Sequence, residues 1–597
     1  MSQSGSEETA GKAYDRELMR RLLQYLKPYK FYIGFSIILL LTVAGLRLIG
    51  PYLMKVAIDS YIANSDIEGL HRIGIFYCSA LLMIFFCRYG QIYLTNFAGQ
   101  KVMYDVRIAV YSHLQKLSVS YYDKNPVGRL ITRVTNDIEA LNEMFSSGVV
   151  SIFGDVFTLV GIMIAMLSLD WELALLSFAV LPLLLYAAMI FRLKVRTAFR
   201  EVRLIIARLN AHLQESITGM AVIQIFNRQA YNFSEFDEIN EGHQNAYIKT
   251  IKYYAIFFPA VEVISALAVG LIIWYGGGQV IQQALTLGVL VAFLQYVQQF
   301  FQPISNLSEQ YNTMQAAMAA SERLFDLMDE TPEIENAELP IRIDQFNGKI
   351  EFEQVWFAYS KEEWILKDLS FVIEKGQCAA FVGATGAGKT TIINLVCRFY
   401  DVQRGRILID DIDIRKIDQA VLRQNIGLVL QDVFLFSGSI SENIRLWNEN
   451  ISPAQIQASA AHVNAAPFID RMEDGYDTSL GERGSTISSG QRQLLSFARA
   501  LVYEPAILVL DEATSNIDTE TEQLIQVAID TLMAHRTSLI IAHRLSTIQH
   551  AGIIFVLHQG QIVEQGTHHE LLEVGAVYYK LYQLQYKDQN PATSHHE

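Results

Sequence analysis

GATGAGKTT, Gly383–Thr391, decides how the second half of this chain is read. Gly383 to Thr390 match the pattern G-x-x-x-x-G-K-[ST], and the context is right: an apolar strand-like run, CAAFVG, leads in and a helical run, TIINLVCRF, leads out. Glycine lets backbone amides curl round phosphate oxygens, so Gly383, Ala384, Thr385, Gly386, Ala387, Gly388 and Thr391 read as a phosphate cradle. Lys389 reaches the outer phosphates, and Thr390 offers its hydroxyl to Mg2+. The N-terminus of the helix adds its dipole to the attraction.

A second element, ILVLDE at 507–512, completes the chemistry that such a cradle implies. Its apolar residues read as a buried strand. Asp511 emerges at the end to hold Mg2+, directly or through water, and Glu512 follows to polarise an attacking water. Phosphoryl transfer asks for little more than a metal, phosphate clamps and a positioned water. Gln431, in LVLQDVFLF, is placed to contact the metal or the water. His543, in LIIAHRLS, is placed to reach the terminal phosphate. Tyr359, in WFAYS, is an aromatic upstream of the cradle suited to stacking on a base.

Outward from these motifs, the chain is two-natured. It has 597 residues, 51% of them hydrophobic, and a mean hydropathy of +0.21. Residues 1–330 carry 26 Lys+Arg and 27 Asp+Glu; residues 331–597 carry 21 and 35. The net charges are therefore −1 and −14, which sum to the chain's −15. The acidic second half argues against nucleic acid as a partner. The four cysteines, Cys78, Cys87, Cys378 and Cys397, fit no metal spacing and are expected to be reduced and buried.

Six apolar stretches precede residue 310: about 31–54, 73–97, 148–168, 171–191, 255–277 and 284–305. Each approaches or exceeds the ~20 residues that cross a bilayer as a helix. The connections 98–147 and 192–254 are long and basic, with Lys101, Arg107, Arg129, Arg133, Arg192, Arg196 and Arg200 among their cations. The intervening loops are short and poor in Lys and Arg. The positive-inside rule places both long connections and both termini in the cytoplasm. Both connections read as helical, so the membrane helices are expected to continue below the bilayer. Glu262, the Gln295–Gln302 face (Gln295, Gln298, Gln299, Gln302), Arg47 and Arg88 lie in or near the spans. They read either as a translocation pathway or as packing and interfacial groups.

One motif remains, ISSGQRQ at 487–493. With the cradle, ILVLDE and the spans in this order, the chain resembles the ATP-binding cassette exporters, in the half-transporter arrangement. The resemblance covers nearly all of residues 20–585. It implies a helical membrane domain followed by an α/β P-loop nucleotide-binding domain, with ATP and Mg2+ as ligands. It puts ISSGQ where that family carries the signature LSGGQ. Ser488, Gly490 and Gln491 then face the terminal phosphate of an ATP held by another cassette, so a dimer is implied. Further roles follow from the resemblance: Tyr359 for adenine stacking, Gln431 for the Q-loop, Glu512 for the catalytic base, Asp518 in SNID for the D-loop and His543 for the switch. The stretches 121–137 and 215–229 resemble the regions around the coupling helices.

Ser489 departs from the family pattern, adding a hydroxymethyl group where glycine is expected, and Ile487 replaces leucine. This favours a heterodimer with one good and one weakened site; a homodimer that tolerates serine is the alternative. The implied function is ATP-driven export of a hydrophobic or amphipathic substrate, a drug or a lipid, across the cytoplasmic membrane. An ATP-gated or regulatory membrane protein, a peptide exporter and a homodimeric lipid flippase are the other readings. The expected division is a polar tail over 1–20, a six-helix membrane domain over 21–325, a linker over 326–348, the nucleotide-binding domain over 349–585 and a polar tail over 586–597.

Overall fold

The computed structural model describes residues 16–343, 346–360, 363–511, 519–541 and 548–586. Two compact units emerge. One takes the chain up to Gln115 together with Val127–Glu330; the other takes Lys116–Pro126 together with the chain from Thr331 onward.

The first unit is helical. Ile67–Leu114 runs for 48 residues, Leu181–Thr218 for 38, and Gln229–Leu271 and Leu287–Asp329 for 43 each. At 1.5 Å per residue the longest reaches roughly 70 Å, more than twice a hydrocarbon layer of ~30 Å. These helices therefore run well past the apolar stretches they contain. Among the described residues, five runs are long and apolar enough to cross a membrane: Arg16–Ile62, Ile67–Leu114, Val127–Leu169, Trp171–Thr218 and Gln229–Ile281. Within the last expected span, the described residues contribute the apolar helical run Leu287–Phe300. Its helix is long enough, but the glutamines at 295, 298 and 299 dilute its hydropathy.

Phe31, Ile75, Phe85, Phe86 and Trp274 are all more than 60% exposed. Such a surface suits lipid as the solvent and not water. Cys78 is exposed too, against the expectation of burial, while Cys397 is buried. Short connections are closed by side-chain caps. Asp66 accepts from the Gly69 amide at 2.9 Å and Asp170 from the Leu173 amide at 2.8 Å. Asp59 accepts from the Thr286 hydroxyl at 2.6 Å and the Gly288 amide at 2.8 Å, tying the end of the first long helix to the start of the last.

The second unit is built on two sheets. β1 (Ile350–Phe357), β2 (Leu366–Ile373), β4 (Arg404–Ile409) and β5 (Ile412–Asp413) form an antiparallel sheet in the order β2-β1-β4-β5. β3 (Cys378–Gly383), β6 (Ile426–Val429), β9 (Ile507–Asp511), β10 (Thr537–Ile541), β11 (Ile553–His558) and β12 (Gln561–Gly566) form the other, in the order β12-β11-β3-β10-β9-β6. Only the β11–β12 pairing there is antiparallel. Apart from these, β7 (Gly438–Ser439) and β8 (Ser479–Leu480) make a small antiparallel ladder.

The parallel strands read as unbroken apolar runs because both faces are covered. Their side chains alternate between two cores. Phe381, Val509, Leu539, Phe555 and Leu557 enter the core shared with the antiparallel sheet. Val382, Leu508, Leu510, Ile540 and Val556 enter the core beneath the helices.

The turn between β11 and β12 depends on Gly560. Its φ is +83°, and a Cβ there would stand 2.1 Å from the Ile365 carbonyl oxygen. Gly560→Ala is expected to destabilise this unit by about 1–3 kcal/mol. A lowered unfolding temperature of the full chain by differential scanning fluorimetry is the check.

Candidate nucleotide site at the carboxyl edge of the parallel sheet

Four neighbouring strands, β3, β10, β9 and β6, run parallel and so deliver their C-terminal ends to one edge. The crevice outside the carboxyl ends of such strands is where α/β sheets hold ligands. β3 ends at Gly383, where the phosphate loop begins, and β9 ends at Asp511. β10 ends at Ile541, just before His543, and β6 ends at Val429, just before Gln431. The phosphate loop, Asp511 and the residues just past β6, far apart in sequence, are thus brought to one edge.

The loop itself turns on glycine. Gly386 and Gly388 have φ of +83° and +103°, and a Cβ on Gly388 would meet Leu366 Cδ2 at 2.7 Å. Ala384, Thr385 and Gly386 are exposed, Ala387 and Gly388 buried. Lys389 opens the helix Lys389–Val396 and folds over the loop, donating to the carbonyls of Gly383 at 2.7 Å and Ala384 at 3.1 Å. Burial pushes its ammonium below the ordinary lysine value, and the charge of Asp511 pulls it back up. Asp511 is buried and Thr390 exposed at the helix start.

Hydroxyl and carboxylate oxygens are the hard donors that Mg2+ takes. Among the described residues no group of three or more His, Cys, Asp or Glu could hold a metal alone. A metal here fits as an ion shared between Thr390, Asp511 and a nucleotide's phosphates. Gln431 is exposed beyond β6.

Tyr359 is 41% exposed. Its phenol donates to the Thr391 hydroxyl at 3.3 Å and accepts from Asn394 at 3.1 Å. Phe357 and Tyr400 meet it at nearly right angles, with centroids 4.8 and 5.0 Å away. Held by its hydroxyl and ring contacts, Tyr359 presents an aromatic surface beside the phosphate loop.

The ISSGQ cluster opens the helix Ser489–Val502. Ser488 is its N-cap: the Ser488 hydroxyl accepts from the Gln491 amide at 3.2 Å, and the Gln491 side chain accepts from the Ser488 amide at 3.0 Å. Arg492 fixes the approach by donating to the Ile487 carbonyl at 3.0 Å. The first amides of a helix have no acceptor within it, so those of Ser489 and Gly490 remain available. Ser488 and Ser489 are exposed, Gly490 buried. Ser489 has ordinary helical backbone, without a positive φ. The position therefore imposes no conformational demand for glycine.

Glu512, Asp518 and His543 lie outside the described residues. In the membrane unit, Arg47, Arg88, Glu262 and Gln298 are exposed and Gln295 and Gln299 half-buried, while the side chain of Gln302 is not described. Sequence reasoning missed Asp155, a carboxylate in the helix Val149–Leu169 that lies near Asn306 and within electrostatic range of Arg47. It also missed Asp59 and Tyr400. An aspartate inside an apolar span was the available signal for Asp155.

Comparison with known proteins matches residues 33–304 to the ABC transporter transmembrane region and 366–515 to the ABC transporter domain. An ABC transporter ATP-binding protein of Bacillus subtilis, YknV, itself uncharacterized, is 40% identical over 97% of this chain and 96% of its own length. The chain belongs to the ABC transporters. This transporter is also similar to the ATP-dependent lipid A-core flippase of Syntrophus aciditrophicus, 36% identical over 96% of the chain and 95% of the relative. A probable multidrug resistance ABC transporter protein of B. subtilis, YheH, is 38% identical over 87% of the chain and 77% of its own length. The transporter is thus a multi-pass membrane ATPase of the multidrug and lipid exporter type, with a cassette that binds ATP.

Lys389→Ala should weaken binding of a fluorescent ATP analogue roughly 10- to 100-fold, the loss expected for a charge-assisted contact. Equilibrium titration of the full-length protein measures it.

Proposed function

We propose that this ABC transporter is one half of a two-chain exporter that moves a hydrophobic or amphipathic molecule, a drug or a lipid, out across the cytoplasmic membrane. The observation that carries the two-chain reading is the capped, exposed start of the helix Ser489–Val502. Ser488 and Gln491 satisfy each other, and the amides of Ser489 and Gly490 are left for an anion. An ATP phosphate held by a second cassette is that anion. Apolar groups around the short helix Met220–Ile225 support the same reading. Ile217, Val222, Ile225 and Phe226 are 59–75% exposed, on a stretch flanked by charged residues such as Arg208, Glu215, Arg228 and Glu235.

Within one cassette, Tyr359 stacks on adenine and the 383–391 loop wraps the phosphates with its amides. Lys389 leaves the carbonyls of Gly383 and Ala384 for the outer phosphates. Thr390, Asp511 and Gln431 would hold Mg2+, which would supply charge neutralisation at the phosphate oxygens. Glu512 takes a proton from water as the water oxygen bonds to the terminal phosphorus and the bond to the bridging oxygen breaks. His543 steadies the departing phosphate, and Asp518 contacts the opposite cassette. Both termini and both cassettes lie in the cytoplasm, as the basic connections require.

The partner is a different chain in this reading, because Ser489 adds bulk at the exposed end that meets phosphate. A homodimer is the second reading, and the unstrained helical backbone at Ser489 favours it.

Mg2+-dependent ATPase activity of the purified chain in lipid nanodiscs, with particle mass recorded, tests both. Glu512→Gln should lower turnover ~10²–10⁴-fold while ATP binding persists; retained turnover would remove Glu512 as the base. Robust activity from a two-copy particle selects the homodimer. A monomeric or inactive product selects a different partner. Ser489→Gly should tighten ATP at the site facing the partner if bulk weakens it, and unchanged affinity in a titration would refute the asymmetric pair.

A further inference from the structure

Tyr400 follows directly on the helix Lys389–Val396 that the phosphate loop opens, in the run Phe399–Asp401. Its ring meets Tyr359 edge-on at 5.0 Å and 87°, and Phe357 at 5.6 Å and 67°. Its phenol donates to the carboxylate of Asp123. Asp123 belongs to the short helix Val119–Lys124, in the segment Lys116–Pro126 that clusters with the cassette unit. That segment is the covalent continuation of the 48-residue helix Ile67–Leu114. Burial and the Asp123 carboxylate both push the Tyr400 phenol above its ordinary value, so it remains a donor throughout the physiological range.

The segment has a second, separate attachment. Glu333 accepts from the Ser120 hydroxyl at 2.5 Å and from Lys124 at 2.8 Å. Those bonds hold Glu333 well below the usual carboxylate range. They tie the segment to the chain ahead of β1 and involve none of the nucleotide residues. The Glu333 clamp docks the segment; the Tyr400 bond connects it to the aromatic seat.

We propose that Tyr400 is a positioning residue that makes the segment 116–126 respond to nucleotide at Tyr359. This rests on Tyr359 as the adenine seat. A base stacked on one face of Tyr359 fixes that ring. Edge-to-face pairs hold a preferred angle, so the Tyr400 ring settles with it. The phenol is then set in or out of line with Asp123, and hydrogen bonds weaken steeply with misalignment. Nucleotide thereby has different contacts in the two arrangements, which is what a ligand needs in order to shift them.

Hydrogen–deuterium exchange of the full-length protein in nanodiscs, with and without the ATP analogue AMP-PNP and Mg2+, tests this. In the parent chain AMP-PNP should slow exchange over both 383–391 and 116–126. Tyr400→Phe keeps the ring and removes the hydroxyl. It should retain the slowing over 383–391 and lose it over 116–126. Asp123→Ala should do the same, and Asp123→Asn, which keeps an acceptor, should restore the response. Glu333→Ala should speed exchange over 116–126 in both states yet leave the AMP-PNP difference intact.

A response over 116–126 that survives Tyr400→Phe, or one abolished by Glu333→Ala, would overturn the proposal. So would slowing in the parent chain confined to 383–391, with the nucleotide reading left standing. No slowing over 383–391 in the parent would overturn the nucleotide reading and the relay together.

Discussion

A parallel sheet covered on both faces has its strand ends left for chemistry. β3, β10, β9 and β6 all stop at one edge, so the phosphate loop and the Asp511 carboxylate meet there, with Gln431 just beyond β6. Everything else in the cassette serves that edge. The antiparallel sheet and the helices supply the two cores that bury the strands, and Tyr359 comes from the residues just past β1. Polar groups that would cost free energy in the interior are confined to the edge, where a nucleotide's phosphates would satisfy them.

The membrane unit obeys a different constraint. In lipid each backbone group needs a partner within the protein, and a helix provides it locally. Exposed phenylalanines are then unremarkable, while the few charged groups in the spans stand out. Asp59 illustrates how these are accommodated: its carboxylate takes a hydroxyl and an amide at the start of another helix. The cost of leaving such a group unpaired makes the tie specific.

Between the two chemistries lies the segment 116–126. It is read from sequence as part of a membrane-domain connection, yet it clusters with the cassette through Glu333 and Tyr400. A machine that converts a binding event into movement needs a joint that docks firmly and still responds. Within the cassette unit the segment has two separate attachments, the Glu333 clamp and the Tyr400 bond. The signature helix obeys the same economy of parts. Its cap is internally complete, and the amides of Ser489 and Gly490 are left without an acceptor in the helix.

The motifs were legible because each fixes its own local geometry. Glycines at 386 and 388 adopt left-handed backbone that other residues resist, and period and length announce strands and spans. Lys389, Thr390, Asp511 and Gln431 stand at or just past the ends of β3, β9 and β6, and Tyr359 reaches the same loop through Thr391. The weight placed on Ser489 came from residue identity alone; its ordinary helical backbone could be known only once the helix was seen to begin there. Tyr400 and Asp123 are 277 positions apart, and Asp59 and Gly288 are 229 apart. No periodicity links such pairs. A local motif is dictated by the conformations its own residues allow, and so the sequence determined the phosphate loop, the strands and the spans. Which distant side chains meet is set by how whole elements pack, and so only the tertiary structure decided the Tyr400–Asp123 joint, the Glu333 clamp and the Asp59 tie.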